Sequence, residues 1–371
     1  MPKKLALVKS TPEPAPQPIR LLSDVRELIL SAREGVARAV NASLATLYWQ
    51  IGHRVRTDIL KEKRAEYGAQ IVSTLAAQLE SEFGRGFGAR SLFRMIRFAE
   101  VFPDPKIVSA LRTELGWTHF RQIIALDDPL KRDFYAEMCR TERWSTRTLE
   151  KKIGSMLFER TALSRKPAKL AEMEIRNLRE EDKLTPDLVF HDPYFLDFLG
   201  LKDTYAEKDI EAAILREMEA FILELGVGFA FLARQKRMQI GHKDYYLDLL
   251  FYHRKLRRLI AVDLKLDEFE AADKGQMELY LNWLKKHDQA PGEAEPLGII
   301  LCAGKDQEHV ELLEMEKSGI HVAAYLTEVL PKKELERKLH DADRLARARL
   351  AEQIEAEQQR PTPPGARRPK A

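Results

Sequence analysis

Residues 245–266, YYLDLLFYHRKLRRLIAVDLKL, constrain the fold of this chain more than any other stretch. Two apolar, alternating runs flank a basic turn, the pattern of a β-hairpin with one face in a core. Each run nonetheless carries charge: Asp248 on the first, Asp263 and Lys265 on the second. Burying an unpaired carboxylate is costly enough that such residues are paired, hydrogen-bonded or bound to a metal. Asp263 and Lys265 are two residues apart and share one face of their strand. Asp248 joins that face if it lies opposite position 263 or 265, with an even number of residues in the loop. A register with 248 opposite 264 would turn its carboxylate to the other side.

The surrounding segments place this hairpin in an α/β domain. YAEKDIEAAILREMEAFILELG, 205–226, reads as one helix with Ile210, Ile214, Met218, Phe221, Ile222 and Leu225 on its apolar face,. Strands are expected at 227–240, 245–253 and 259–266, then a helix at 272–287, a strand at 297–304, a further helix, and a strand at 320–327. Helix, three-strand meander, helix and strand imply a mixed sheet flanked by helices. Glu211 lies at the edge of the first helix's apolar face and could reach the acidic face of the sheet from above. Three carboxylates and one ammonium leave a net negative site, and two carboxylates about 5 Å apart repel by about 3 kcal/mol at an effective dielectric near 20. A divalent cation removes the conflict, and oxygen ligands without clustered His or Cys point to Mg²⁺, with Mn²⁺ as a substitute. The alternative is a pair of structural acids satisfied by hydrogen bonds.

The 371 residues suit two domains, each able to bury a core,. No apolar run is long enough to span a bilayer and the N-terminus lacks the apolar core of a signal peptide, so a cytoplasmic location and no membrane partner are expected. Cys139 and Cys302 are too few for a disulfide framework or a cysteine-rich zinc site,. Residues 1–20 and 360–371 are basic and Pro-rich, either solubilising ends or polyanion-binding arms. Residues 21–160 read as helical, with Ile29, Val36, Val40, Leu44, Leu47 and Ile51 as a buried stripe. At 67–103 two helices flank a turn at Gly84, Gly86 and Gly88. Arg85, Arg90, Arg94 and Arg97 fall in a window, 84–98, that holds no acid. The last three share a face while Leu92, Met95, Ile96 and Ala99 pack. This is either a helix-turn-helix-like nucleic-acid surface or a solvated helix face. Trp117, Phe120, Ile123 and Ile124 read as core, Ser145 as a helix N-cap, 161–184 as a charged linker, 185–335 as the second domain, and 336–371 as a charged helix with its tail.

At Asp248 and Asp263-Leu264-Lys265 the sequence resembles the PD-(D/E)XK nuclease superfamily, with Leu247 in place of the motif's proline. YWQIG at 48–52, GRGFGARSLFRM at 84–95, LGWTHF at 115–120, LDFLGL at 196–201 and DKGQMELYLNWL at 273–284 extend the likeness. Over roughly 20–335 the chain resembles the YhcG-like bacterial family, in which a helical, winged-helix-like domain precedes a restriction-endonuclease-like domain. The resemblance implies a Mg²⁺-dependent phosphodiester hydrolase acting on DNA, with genome defence or mobile-DNA processing as its setting; the oligomeric state is open, and cutting both strands of a duplex would favour a homodimer. It implies Asp248 and Asp263 as metal ligands, with the Leu264 carbonyl as a third, and Glu211 as a supporting or second-metal ligand. Lys265 would orient or deprotonate the attacking water, and Gln276 would position water or phosphate. Arg234, Lys236 and Arg237, beside the site, would contact phosphates. A catalytically inactive binding or assembly module and a DNA-binding regulator are the rival classes.

Overall fold

The structure is a computed structural model and describes residues 18–61, 65–200 and 206–327, with 333–335, 337 and 339 beyond them. The tails expected at 1–20 and 336–371 lie almost wholly outside the described residues. Two compact units divide after Pro129.

In the first unit every named element is helical: α1 (Pro18–Lys61), α2 (Ala65–Phe83), α3 (Ala89–Val101), α4 (Pro105–Leu111) and α5 (Trp117–Ile123). The buried stripe expected along α1 is only half present. Ile29, Val36, Val40 and Leu47 are exposed, whereas Ala45 is buried and Tyr48, Ile51 and Val55 pack on the core that Val72, Ala76, Leu92 and Met95 form. The sequence period is the same along the whole helix, but α3 covers only its C-terminal half. Gly52 sets that crossing, because a Cβ there would lie 1.8 Å from the Met95 carbonyl oxygen. Phe120, Ile123 and Ile124 are core as expected, and Trp117 fits between the Tyr48 and Phe98 rings, with centroids at 4.9 and 5.7 Å. α2, a short 3-10 turn at Arg85–Phe87 and α3 reproduce the expected helix–glycine turn–helix, with Gly84 at φ 89°. A wing would need a β-hairpin, and none occurs among the described residues of this unit. The segment after α3 instead starts α4, where Asp104 accepts from the Lys106 N–H.

The second unit opens on α6 (Pro129–Glu142), α7 (Thr146–Gly154), α8 (Leu157–Arg160), α9 (Ala168–Glu181) and α10 (Pro186–Val189). Ser145 caps α7 by accepting from the Thr148 N–H at 3.1 Å, as its position suggests,. The segment expected as a linker is folded: in α9, Ala171, Ile175 and Leu178 are buried. Arg179 and Arg140 both bind the buried Glu137 carboxylate, at 2.6 and 2.9 Å. Its charge density, read as the mark of a solvated connector, is an ion-pair network between two helices.

The sheet is mixed, in the order β1 (Tyr194–Phe195), β6 (Ile320–Leu326), β5 (Leu297–Cys302), β4 (Arg258–Leu264), β3 (Lys243–His253), β2 (Phe229–Ile240). β2, β3 and β4 form the antiparallel meander, and β4, β5, β6 and β1 run parallel. The helix expected at 205–226 breaks at Glu217 into α11 (Glu207–Arg216) and α12 (Met218–Leu225), with Ile210, Ile214, Phe221 and Leu225 buried. α13 (Ala271–His287) connects β4 to β5, and α14 (Gln307–Leu312) connects β5 to β6. Met277, Tyr280, Leu281 and Leu284 of α13 pack on Leu250, Leu259 and Ala261 of the sheet. The fold is an α/β domain, a mixed sheet flanked by helices, that follows a mainly helical N-terminal region in the sequence.

Candidate active site

The site forms where the β3–β4 ladder opens. The turn at residues 254–257 brings His253 opposite Arg258, and the last paired position is Leu249 with Val262. This register carries Asp248 opposite Asp263, the parity the sequence requires. Beyond the last pair the Asp248 carboxylate accepts the Leu264 N–H at 2.8 Å through Oδ2. β4 meanwhile continues in parallel with β5 through Leu264. The side chain thus satisfies a backbone donor next to the departing strand.

Asp263 is buried and Lys265 half-buried; the Lys265 Nζ lies 2.9 Å from Asp263 Oδ2 and 3.8 Å from Asp273 Oδ1 on α13. Burial pushes the Asp263 carboxyl up to about 6, with Asp248 and Asp273 adding to the rise and Lys265 opposing it. Burial also disfavours the Lys265 ammonium, but Asp263, Asp273 and Glu207 outweigh it and raise its pKa. Even with its ion pair in place, Asp263 sits in a pocket short of positive charge.

Gln276 is one turn along α13, its Oε1 3.5 Å from Lys265 Nζ. Its Nε2 donates to Tyr280 Oη at 2.6 Å, and that hydroxyl donates to the Tyr246 carbonyl on β3. Tyr280, unnoticed in the sequence, is readable there: i, i+4 spacing puts it beside Gln276 on one helix face. Asp273 is a turn before Gln276 on the same helix, and its approach to Lys265 could have been read from the same spacing.

Glu211, buried on α11, comes to the site by a different route. Gln235 on β2 donates through Nε2 both to Glu211 Oε2 at 3.1 Å and to Asp248 Oδ1 at 2.9 Å. Glu211 Oε1 is buried without a hydrogen bond, and Arg234 Nε stands 3.4 Å from it as an ion pair. Among the described residues no group of three Asp, Glu, His or Cys is placed to enclose a metal, so Asp248, Asp263 and Glu211 do not close on one point here. An amide separates Glu211 from Asp248. The donor set still fits a hard divalent cation, with carboxylate oxygens from two adjacent strands, a buried carboxylate oxygen lacking a hydrogen bond, and an acid raised by burial with two further acids beside it,.

The basic residues expected to meet phosphate already have acidic partners. Arg234 pairs with Glu211, Lys236 with Asp288 at 2.7 Å and Arg237 with Asp244 at 3.0 Å. Lys236 also lies over the Trp283 ring at 5.8 Å. In the first unit Arg85 and Arg90 are exposed and Arg94 is half-buried, while Arg97 pairs with Glu100 at 3.1 Å. That acid lies just beyond the acid-free window. No described helix is long and apolar enough to cross a membrane.

Comparison with known proteins also divides the chain in two, at a later point than Pro129. Residues 24–160 match the DUF1016 N-terminal domain family, and residues 187–340 match the YhcG PDDEXK nuclease domain family. The protein named "Putative nuclease YhcG" of Escherichia coli (strain K12) is 35% identical over 308 residues, covering 75% of this chain and 81% of that protein. Among solved structures, a repair endonuclease from Pyrococcus abyssi has 23% identity and a TM-score of 0.24 over 33% of this chain. The EndoMS–dsDNA complex has 20% identity and a TM-score of 0.25 over 35%. This chain spans about half the length of each, 49%. A helical first unit, a mixed sheet with Asp248, Asp263 and Lys265 at the opening of its hairpin, and a relative alike along most of both chains lead to one assignment: this chain belongs to the YhcG family of PDDEXK nuclease-domain proteins.

Proposed function

We propose that the protein is a Mg²⁺-dependent nuclease that hydrolyses phosphodiester bonds in DNA. The observation that carries this reading is the convergence of Asp248, Asp263 and Lys265 at the opened end of a ladder, with Asp263 held at about 6 by burial. Asp248 and Asp263 would hold the ion, with the Leu264 carbonyl beside them and Glu211 behind Gln235. The bound ion would lower the pKa of a water and offset charge developing on phosphate.

The remaining work falls to side chains of this chain. Lys265 Nζ points hydrogen-bond donors into the site, so it can orient the attacking water and stabilise the pentavalent phosphate. Gln276, fixed by Tyr280, holds the side of the site next to that ammonium. Arg234 lies at the entrance with more than half its side chain exposed, 60%, and exchanging Glu211 for a phosphate keeps its charge paired,. Arg85, Arg90, Arg94 and Arg97 supply a second, sequence-independent phosphate surface. One site cuts one strand, so cleavage of both strands of a duplex favours a homodimer.

Incubating the full chain with plasmid, single-stranded DNA and RNA in Mg²⁺, Mn²⁺ or EDTA tests the proposal. Cleavage of DNA with either metal and none in EDTA is expected. Metal-independent cleavage, or none with any substrate, refutes it.

A further inference from the structure

Gln235 lies outside the acidic signature, yet it joins the parts of the site that the signature alone leaves separate. Both atoms facing its amide are carboxylate oxygens, Glu211 Oε2 and Asp248 Oδ1, so the NH₂ end must be the one turned toward them,. The backbone is bent to allow this. Gln235 has φ 44° within β2, a left-handed conformation that residues with a Cβ rarely adopt,. Adjacent residues of a regular strand point to opposite faces, yet Arg234 and Gln235 both reach Glu211, at 3.4 and 3.1 Å. The left-handed residue is what brings two sequence neighbours to one carboxylate. Strained backbone of this kind persists where the surroundings impose it, and it concentrates at functional sites.

The amide stands between two carboxylate oxygens as a cation would, but it is neutral. It satisfies each oxygen with one hydrogen bond and cancels none of their charge. We propose that Gln235 is a positioning residue that keeps the place of the divalent ion: its amide bridges Glu211 and Asp248 in the metal-free protein and releases both when the ion binds. This rests on the metal-dependent reading above and adds to it the group with which the ion competes. A ligand or a purely structural residue has the opposite signature. Removing either would weaken or leave unchanged the affinity for metal, whereas removing a placeholder destabilises only the metal-free state and so tightens binding.

The experiment measures Mn²⁺ affinity by calorimetry, and melting temperature in EDTA, for the full chain and four variants: Gln235→Met, Gln235→Asn, Glu211→Gln and the Glu211→Gln/Gln235→Met double variant. Gln235→Met keeps the length and removes the amide. Gln235→Asn tolerates the left-handed backbone but is too short to bridge both acids, and it serves if the Met variant fails to fold. Each should bind Mn²⁺ about tenfold more tightly than wild type, the scale of losing hydrogen bonds to charged groups from the free state alone. Each should also melt lower in EDTA. In a Glu211→Gln background, where only one of the two carboxylates remains, Gln235→Met should change Mn²⁺ affinity by less than about twofold. Unchanged or weaker Mn²⁺ binding by both Gln235 single variants overturns the placeholder while leaving the metal site standing. A wild-type protein that binds no Mn²⁺ overturns both.

Discussion

Asp263→Asn should stabilise the metal-free protein while abolishing its response to metal. In the folded chain the Asp263 carboxyl is raised from 3.8 to about 6. At pH 8 its ionised form therefore costs about 3 kcal/mol relative to the unfolded chain, at about 1.4 kcal/mol per unit. That cost already includes the attraction of Lys265. Asn approximates the protonated side chain in shape and charge, so the substitution recovers up to that amount. For a unit of this size about 3 kcal/mol corresponds to roughly 6–12 °C in melting temperature. The pH dependence has a fixed sign. The cost is complete above about 6, shrinks as pH falls through that value, and is absent below the unfolded pKa near 4. Scanning calorimetry in EDTA at pH 8 and pH 4 should show the variant melting higher at pH 8 and the two proteins converging at pH 4. Adding Mn²⁺ at pH 8 should raise wild type and leave the variant in place. A variant that melts at or below wild type at pH 8 in EDTA would show that Asp263 is a satisfied structural acid, and the reasoning from missing countercharge would fail.

Lys265→Ala leaves the carboxylates, so Mn²⁺ should still bind by calorimetry while DNA cleavage falls at least about 10²-fold. Replacing Arg90, Arg94 and Arg97 together with Ala should weaken duplex DNA binding and flatten its salt dependence by about 0.9 in log–log slope per lost phosphate contact; fluorescence anisotropy across a salt series reads both, and unchanged values assign these arginines to solvent. His321 is half-buried, and its pKa is lowered to about 4, first by burial and then by Lys305. Its contribution to stability is complete above about 6.5 and is lost as pH falls toward 4. His321→Gln should therefore flatten the fall in melting temperature between those values. Gly52→Ala drives a methyl into the Met95 carbonyl and should cost the first unit about 1–3 kcal/mol or more, read by urea unfolding,.

The parts of the site legible in the sequence are those that periodicity governs. Alternation put Asp248 on β3 and Asp263 and Lys265 on one face of β4 but left the register between them open; the four-residue turn at 254–257 supplies the parity that brings them together,. The helical pattern over 272–287 predicted α13, and the family resemblance singled out Gln276 on it. What was not legible depends on departures from regularity. Gln235 sits in RQKRMQ, an unremarkable polar run, and its role comes from a single left-handed residue that no period announces. The break at Glu217 left the apolar face of 205–226 continuous, so pattern alone read one helix where two occur. In α9 the difficulty is charge: 161–184 reads as a charged linker because the partners of Arg179, Asp133 and Glu137, are more than 40 residues away. Long-range pairing of that kind leaves no local trace. The exposed apolar half of α1 shows the converse, since a buried face and an uncovered one carry the same period.

The second unit contains its own standard for a structural acid. Asp192 is as buried as Asp263, yet Arg165 Nη2 and Lys305 Nζ each lie 2.6 Å from its Oδ2, and the Ala324 N–H donates to Oδ1 at 2.9 Å. Burial works against its ionised form, but the two cations outweigh it and hold the carboxyl well below the usual range. Two cations, one acid and a backbone donor are what a buried carboxylate needs to remain charged at rest. Asp263 has one cation, shared with Asp273, and two further acids close enough to raise it. The same sheet thus satisfies one acid fully, next to β6 and β1, and leaves another under-neutralised where β3 and β4 part. Because the fold could have matched charge at both places, the deficit at Asp263 is what the proposed divalent ion would offset.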